Sequence, residues 1–293
     1  LVMTRTLYTT VLFLMCFVAP VRDIEVTDFL GEKLRLEQPA KKIVALAPHL
    51  VENAYSAGAG DRLVAVVDYS DYPPEARKLP HLGSAMAISV ESVLALQPDL
   101  VLAWDSGNNE NVVRQLKRFG LPVYVDEPRT LEDVAKTIRD IGTLAGTETV
   151  AEKEAERYLN SLETLRKRYI SKEAVSVFYQ VWNDPLQTLN NDHIVSDVIR
   201  LCGGYNIYGD AANIAPVINR ESILDRNPDI IVASGRADER PQWLDEWLRW
   251  PGMSAVRNNH LYVVHADLIQ RHTVRILDGA EIFCGHMENA RNQ

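Results

Sequence analysis

From about residue 42 onward, short apolar runs alternate with stretches of helical spacing. Residues 43–47 form an apolar run, residues 51–57 are helix-like and stop at Gly58 and Gly60, and residues 63–67 make a second strand candidate. Leu100–Trp104 and residues 122–125 read as further strands, with the helix-like residues 111–119 between them. Strand, helix, strand at this spacing predicts βαβ units and a largely parallel sheet. The middle of the chain changes period. Thr130 with Asp133 resembles an N-terminal cap, and Leu131, Val134, Ile138 and Ile141 follow on one helical face. Thr149 with Glu152 has the spacing of a capping box, and Tyr158, Leu162, Leu165 and Tyr169 continue a second helix over residues 149–169. Strands resume at residues 174–181. The long helix is read as a connector between two lobes; the competing reading is a peripheral helix of one large sheet.

An internal repeat favours two lobes. Residues 88–104 recur as residues 218–234, an offset of 130 positions with seven of 17 residues identical. Each copy reads as a short helix opened by Glu-Ser (Glu91 and Ser92; Glu221 and Ser222), a Pro-Asp turn, then a buried strand. The period is too long for a solenoid and fits one element used once in each of two similar α/β lobes. The expected boundaries are residues 42–130 for the N-terminal lobe, 131–172 for a helical segment that includes the connector, and 173–293 for the C-terminal lobe.

The first 22 residues differ from the rest. Arg5 precedes an apolar run, and the first acidic residue is Asp23. That is the shape of a secretory signal peptide, against the alternatives of a buried helix or a membrane anchor. Cys16 follows Met15, which is too large for the usual lipid-modification site, so lipoprotein anchoring is not expected. Cleavage before Asp23 would remove Arg5 and Arg22 and take the net charge from −9 to −11. An acidic balance argues against a general nucleic-acid binder, which needs a basic surface to replace counterions. Export would leave Cys202 and Cys284, and an oxidising compartment favours pairing them over two separate buried thiols.

Parallel α/β lobes bind ligands beyond the carboxyl ends of their strands, so in a two-lobed chain those loops should face each other across a cleft. The N-terminal loops begin at Pro48-His49, at residues 69–72, at residues 83–87 and at Trp104-Asp105. Those of the other lobe begin at residues 182–185, at residues 214–216, at Gly235-Arg236 and at Ala266-Asp267. Tyr69, Tyr72, Trp104 and Trp182 fall at strand ends. Any one of them alone reads as core; four together offer large flat faces to a ligand. Catalytic constellations are poor. The seven histidines show no zinc-site spacing, and there is no GxSxG elbow, no P-loop and no glycine fingerprint after the first strand. Only His49 and His272 border candidate cleft loops.

The 70–74 loop (Ser70, Asp71, Tyr72, Pro73, Pro74), the strand from Pro98 to Trp104, the segment from Leu201 to Ile207 and the stretch from Gln270 to Asp278 resemble the periplasmic cobalamin-binding proteins of ABC importers. The wider family includes haem and iron-siderophore binders and places two α/β lobes on a long backbone helix. The resemblance, which runs from about residue 42 to the end, implies that Tyr69 and Trp104 pack against the corrin, that Pro48 and His49 form the first cleft loop, and that Asp267 and Arg271 make polar contacts from the opposite lobe. It also implies a disulfide between Cys202 and Cys284. Two family tryptophans fall at Ala85 and Ala215 here, and Trp182 stands nearby to compensate. Glu91 and Glu221 have two readings, favourable interaction with a helix dipole and docking to arginines of a two-fold membrane permease. The resulting expectation is a monomeric transport receptor for cobalamin or a related corrinoid, without resident metal, cofactor or catalysis. The rivals are a haem or ferric-siderophore binder of the same fold and, last, a periplasmic hydrolase.

Overall fold

The structure, a computed structural model, describes residues 24–235 and 240–292. The leader expected over residues 1–22, Cys16 with it, and Arg236 lie outside the described residues. An antiparallel hairpin of β1 (Ile24–Thr27) and β2 (Lys33–Leu36) is the first element of the described residues and lies ahead of the first strand the hydrophobic pattern announces. The N-terminal lobe then runs β3 (Ile43–Ala45), α1 (Pro48–Ser56), β4 (Leu63–Ala65), α2 (Val90–Ala95), β5 (Leu100–Trp104), α3 (Glu110–Arg118) and β6 (Val123–Asp126). Two helices follow, α4 (Leu131–Ala145) and α5 (Glu148–Tyr169). The C-terminal lobe holds β7 (Val175–Gln180), the small hairpin β8 (Trp182–Asn183) and β9 (Leu186–Gln187), α6 (Ile194–Leu201), β10 (Gly204–Asn206), α7 (Arg220–Arg226), β11 (Ile230–Gly235), α8 (Ser254–Arg257), β12 (Leu261–His265), α9 (Ala266–Ile269) and α10 (Ile276–Arg291).

Each lobe has a four-stranded parallel sheet, ordered β4-β3-β5-β6 in one and β10-β7-β11-β12 in the other. Read by position within each lobe, the two orders are the same. The repeat supplies the third strand of each sheet, and its turn follows the same plan in both lobes. Gln97 and Asn227 both adopt positive φ before their prolines, at 47° and 42°. Asp99 then accepts hydrogen bonds from the backbone amides of Lys41 and Lys42 at 2.8 and 2.9 Å. Asp229 accepts from the amide and hydroxyl of Ser176 at 2.8 and 2.6 Å. Each aspartate thus pins the start of the lobe's first strand to the repeat strand beside it. Two separate sheets remove the single-sheet alternative.

The strands are apolar on both faces, as sheets covered by helices on both sides require. Alternate residues sort into different cores. Ile43, Ala45, Leu100 and Leu102 join a cluster that continues through Leu131, Ile138, Tyr158 and Leu162 to Val177, Tyr179, Ile230, Val232 and Phe283. Val44, Leu46, Val101 and Ala103 face a separate N-terminal cluster, and Phe178, Ile231 and Ala233 a separate C-terminal one. The two lobes therefore share one central core and keep one private core each.

The connecting helix buries Ala151, Ala155, Tyr158, Leu162, Leu165 and Tyr169, a 3.6-residue stripe. The capping box expected at Thr149 does not form: the helix starts at Glu148, its N-cap Thr147 makes no side-chain cap, and Glu152 instead pairs with Arg139 at 2.6–2.8 Å. Packing sets this start. Gly142 lies so close to Ala151 that a methyl group on it would come within 2.2 Å of the alanine side chain, so α4 and α5 turn back tightly through left-handed Gly146. The box at Thr130 and Asp133 forms as its spacing predicts. Cys202 and Cys284 are joined in a disulfide, with their Cα atoms 4.9 Å apart.

Candidate ligand cleft between the lobes

The cleft is built from loops at the carboxyl ends of both sheets. On the N-terminal side, Tyr69 has φ of 65°, a strained conformation for an aromatic residue, and is 64% exposed. Tyr72 is also exposed, as is Met86 in the 83–87 loop. A buried amide holds this wall together. Asn108 donates to the carbonyls of Leu46 and Ala85 at 2.8 and 3.0 Å and accepts from the Trp104 amide at 2.7 Å, tying three loops to one side chain.

On the C-terminal side Trp182 is 58% exposed and donates its indole N–H to the Asp184 carbonyl at 2.9 Å. It lines a pocket of about 740 Å³ with Ser234, Gln242, Trp243 and Gln270. Trp243 and Gln242 were missed from sequence although Trp243, Leu244, Trp247 and Leu248 recur at helical spacing just past the strand-end loop at Gly235; the indole next to that loop was the available signal.

Arg271 is 12% exposed and reaches from the C-terminal lobe into the other. Its guanidinium pairs with Glu52 at 2.8 Å, Asp71 at 2.9 Å and Asp267 at 3.0 Å, and donates to the Tyr69 carbonyl at 3.1 Å. Arg275 pairs with Glu52 at 2.7 Å and lies 3.9 Å from the ring centroid of Tyr72. Despite burial, the surrounding carboxylates hold both guanidinium groups above their ordinary pKa. Burial works against ionisation of Asp71, but the hydrogen bond from Arg271 leaves its carboxyl below the usual range.

Pro48 is the first residue of α1, where a missing N–H is harmless, and is half-buried. His49 is 4% exposed and lies beneath the cleft floor instead of on it: its Nε2 donates to buried Asp126 at 3.1 Å, and Asp126 also accepts from the Thr137 hydroxyl at 2.6 Å. The His49 ring meets those of Trp104 and His272 edge-on at 5.2 and 5.1 Å. Trp104 is half-buried, folded over Gly107, where any side chain would collide with the indole. The sequence placed these residues at strand ends; the structure adds that His49 is buried and that Pro48 and Trp104 are half-buried. His272 stands with neither ring nitrogen hydrogen-bonded, and burial pushes its pKa well down. Desolvation also lowers His193, 5.7 Å from His272 between ring centroids, to about 4. Among the described residues no group of three or more His, Cys, Asp or Glu side chains is arranged to hold a metal ion.

Two α/β lobes, each with a four-stranded parallel sheet, joined by one long helix, define a class of solute-binding proteins. The chain belongs to the periplasmic binding protein family, which it matches over residues 43–268. It is 36% identical over 256 residues to the vitamin B12-binding protein of Vibrio cholerae, covering 87% of this chain and 92% of that one. The vitamin B12-binding protein of Yersinia pestis is 35% identical over 250 residues, covering 85% and 87%. The crystal structure of the periplasmic vitamin B12-binding protein of Vibrio cholerae matches with a TM-score of 0.81 at 35% identity, covering 87% of this chain and 99% of that one. A periplasmic haem-binding protein from Roseiflexus shares the fold, with a TM-score of 0.75 at 21% identity over 86% of this chain and 99% of that one.

Proposed function

We propose that this chain captures cobalamin or a related corrinoid between its lobes in the periplasm and delivers it to the membrane permease of an ABC importer. The observation that carries the reading is the 36% identity, over 87% of the chain, to a vitamin B12-binding protein. The cleft chemistry agrees with it. A corrinoid is a broad macrocycle with an apolar face and a rim of amides. Tyr69, Tyr72, Trp182 and Trp243 supply flat apolar surface, while Asp267, Arg271 and Gln270 supply donors and acceptors. Half-buried Ala85 and exposed Ala215 stand where the family carries tryptophans, so more of the aromatic contact falls to the C-terminal pair Trp182 and Trp243. Trp104 and His49 support the floor from beneath.

Delivery is assigned to Glu91 and Glu221. Both are exposed, at the starts of α2 and α7, which occupy equivalent places in the two lobes. One carboxylate per lobe suits pairing with arginines on a two-fold permease. The protein works as an exported monomer without a resident cofactor. Haem would require an axial ligand; His49 is committed to Asp126, which leaves the exposed tyrosines Tyr69 and Tyr72.

Calorimetric titration with cyanocobalamin, haemin and a ferric siderophore tests the ligand. One-to-one binding of the corrinoid is expected, weakened about tenfold by Trp182→Ala, the effect of removing an aromatic anchor. Heat from haemin with none from cyanocobalamin would overturn the reading.

A further inference from the structure

Glu52 was silent in the sequence, one acidic residue inside a short helix. In the fold it is 3% exposed and faces the opposite lobe. A carboxylate taken out of water is costly unless it is paired and fully hydrogen-bonded. Here its two oxygens accept from Arg271 Nη1 at 2.8 Å and from Arg275 Nε and Nη2 at 2.9 and 2.7 Å. Both arginines come from more than 200 residues along the chain. Beside this pair, the Asn53 amide donates to the His272 carbonyl at 2.9 Å, another bond between the lobes.

The two sides of Arg271 differ. Its inner partner Glu52 is sealed, whereas its outer partners Asp71 and Asp267 are 45% and 35% exposed. Charge pairs open to water contribute little and exchange readily, while a buried charge-assisted pair is held. A ligand amide oxygen can therefore take over the Nη2 N–H groups, which serve Asp267 and the Tyr69 carbonyl, without disturbing the bond from Nη1 to Glu52. The same carboxylate anchors Arg275, which supports the ring of Tyr72.

We propose that Glu52 is the positioning residue of the cleft: it fixes the spacing of the lobes through Arg271 and Arg275 and presents the outer edge of Arg271 to the ligand. This rests on the corrinoid reading for its ligand. The role assigned to Arg271 changes accordingly, from a polar contact on one wall to a bridge whose outer side alone is offered for binding.

The test compares Glu52→Gln with a charge-balanced double variant, Glu52→Gln/Arg275→Met, which leaves no arginine without a carboxylate near it and keeps the question open should the single variant misfold. Cyanocobalamin titrations are paired with distance measurements between spin labels on Phe119→Cys and Leu248→Cys, two exposed sites on opposite lobes. The expected result is a dissociation constant raised about tenfold or more at unchanged stoichiometry, with a broadened distance distribution. A lower unfolding temperature with wild-type affinity and wild-type distances would reduce Glu52 to a structural residue and overturn the proposal. No heat from the wild-type protein would instead remove the corrinoid reading, and the label distances would still judge the clamp.

Discussion

His272 and His193 meet at the junction of the lobes, and burial keeps both neutral at pH 7. A histidine whose folded pKa is depressed binds fewer protons than the unfolded chain between the two pKa values. Its contribution to stability is therefore complete above about pH 6.5. It declines as the pH falls toward the folded value, about 4 for His193. In that window each such group costs about 1.4 kcal/mol per pH unit. Urea unfolding between pH 7.5 and 4.5 should show this decline in the wild type, and His272→Asn should remove part of the slope while leaving stability at pH 7.5 less affected. Identical slopes would show that His272 does not carry the effect. Nothing in the sequence separated His272 from a ligand contact, because spacing tells which strand end a residue occupies and not how deeply the opposite lobe covers it. For the same reason Glu52 and Asn108 were invisible: their partners are brought together only by the packing of distant elements.

Elements were easier to read than residues. The repeat located a helix, a turn and a strand in each lobe, and the structure adds that Gln97 with Asp99 and Asn227 with Asp229 repeat the same backbone device. The Thr130 cap follows local chemistry and was legible; the start of α5 follows the approach of Gly142 to Ala151 and was not. The hairpin β1–β2 escaped because it buries only Val26 and Leu36 and so leaves no continuous apolar run in the sequence. The paired helices also carry a prediction. Glu91 and Glu221 lie in first turns, where a negative charge interacts favourably with the helix dipole. Backbone hydrogen bonding, followed by the Ser89 hydroxyl, keeps Glu91 below its ordinary pKa, so it is ionised at pH 7. Reversing both glutamates to lysine should cost little stability and leave corrinoid affinity intact, yet abolish uptake in cells that carry the permease. If radiolabelled cobalamin still enters at the wild-type rate, the two residues serve their helices and nothing more.

At the scale of the whole molecule, two lobes do not mean two folding units. The central core runs without a break from Ile43 and Leu100 through Tyr158 and Leu162 to Val177 and Phe283, and removing either lobe would expose the face of the other. Cys202 and Cys284 belong to this core, so their disulfide closes a loop spanning most of the C-terminal lobe while lying against the shared interior. A cross-link over 82 residues stabilises mainly by restricting the unfolded chain, and its loss typically costs about 2–5 kcal/mol. If the lobes were independent, that loss would lower only the C-terminal half and split the melting profile. With a shared core it should lower one cooperative transition as a unit. Calorimetry of the Cys202→Ser/Cys284→Ser variant should therefore give a single peak, displaced to lower temperature, with calorimetric and van't Hoff enthalpies in agreement. Two resolved peaks would mean that the central cluster does not couple the lobes. The same coupling limits how far the lobes can hinge about one stiff helix. Small-angle scattering of the wild type should accordingly show little change in radius of gyration when the ligand enters, because opening the cleft widely would mean unpacking the core that both halves share.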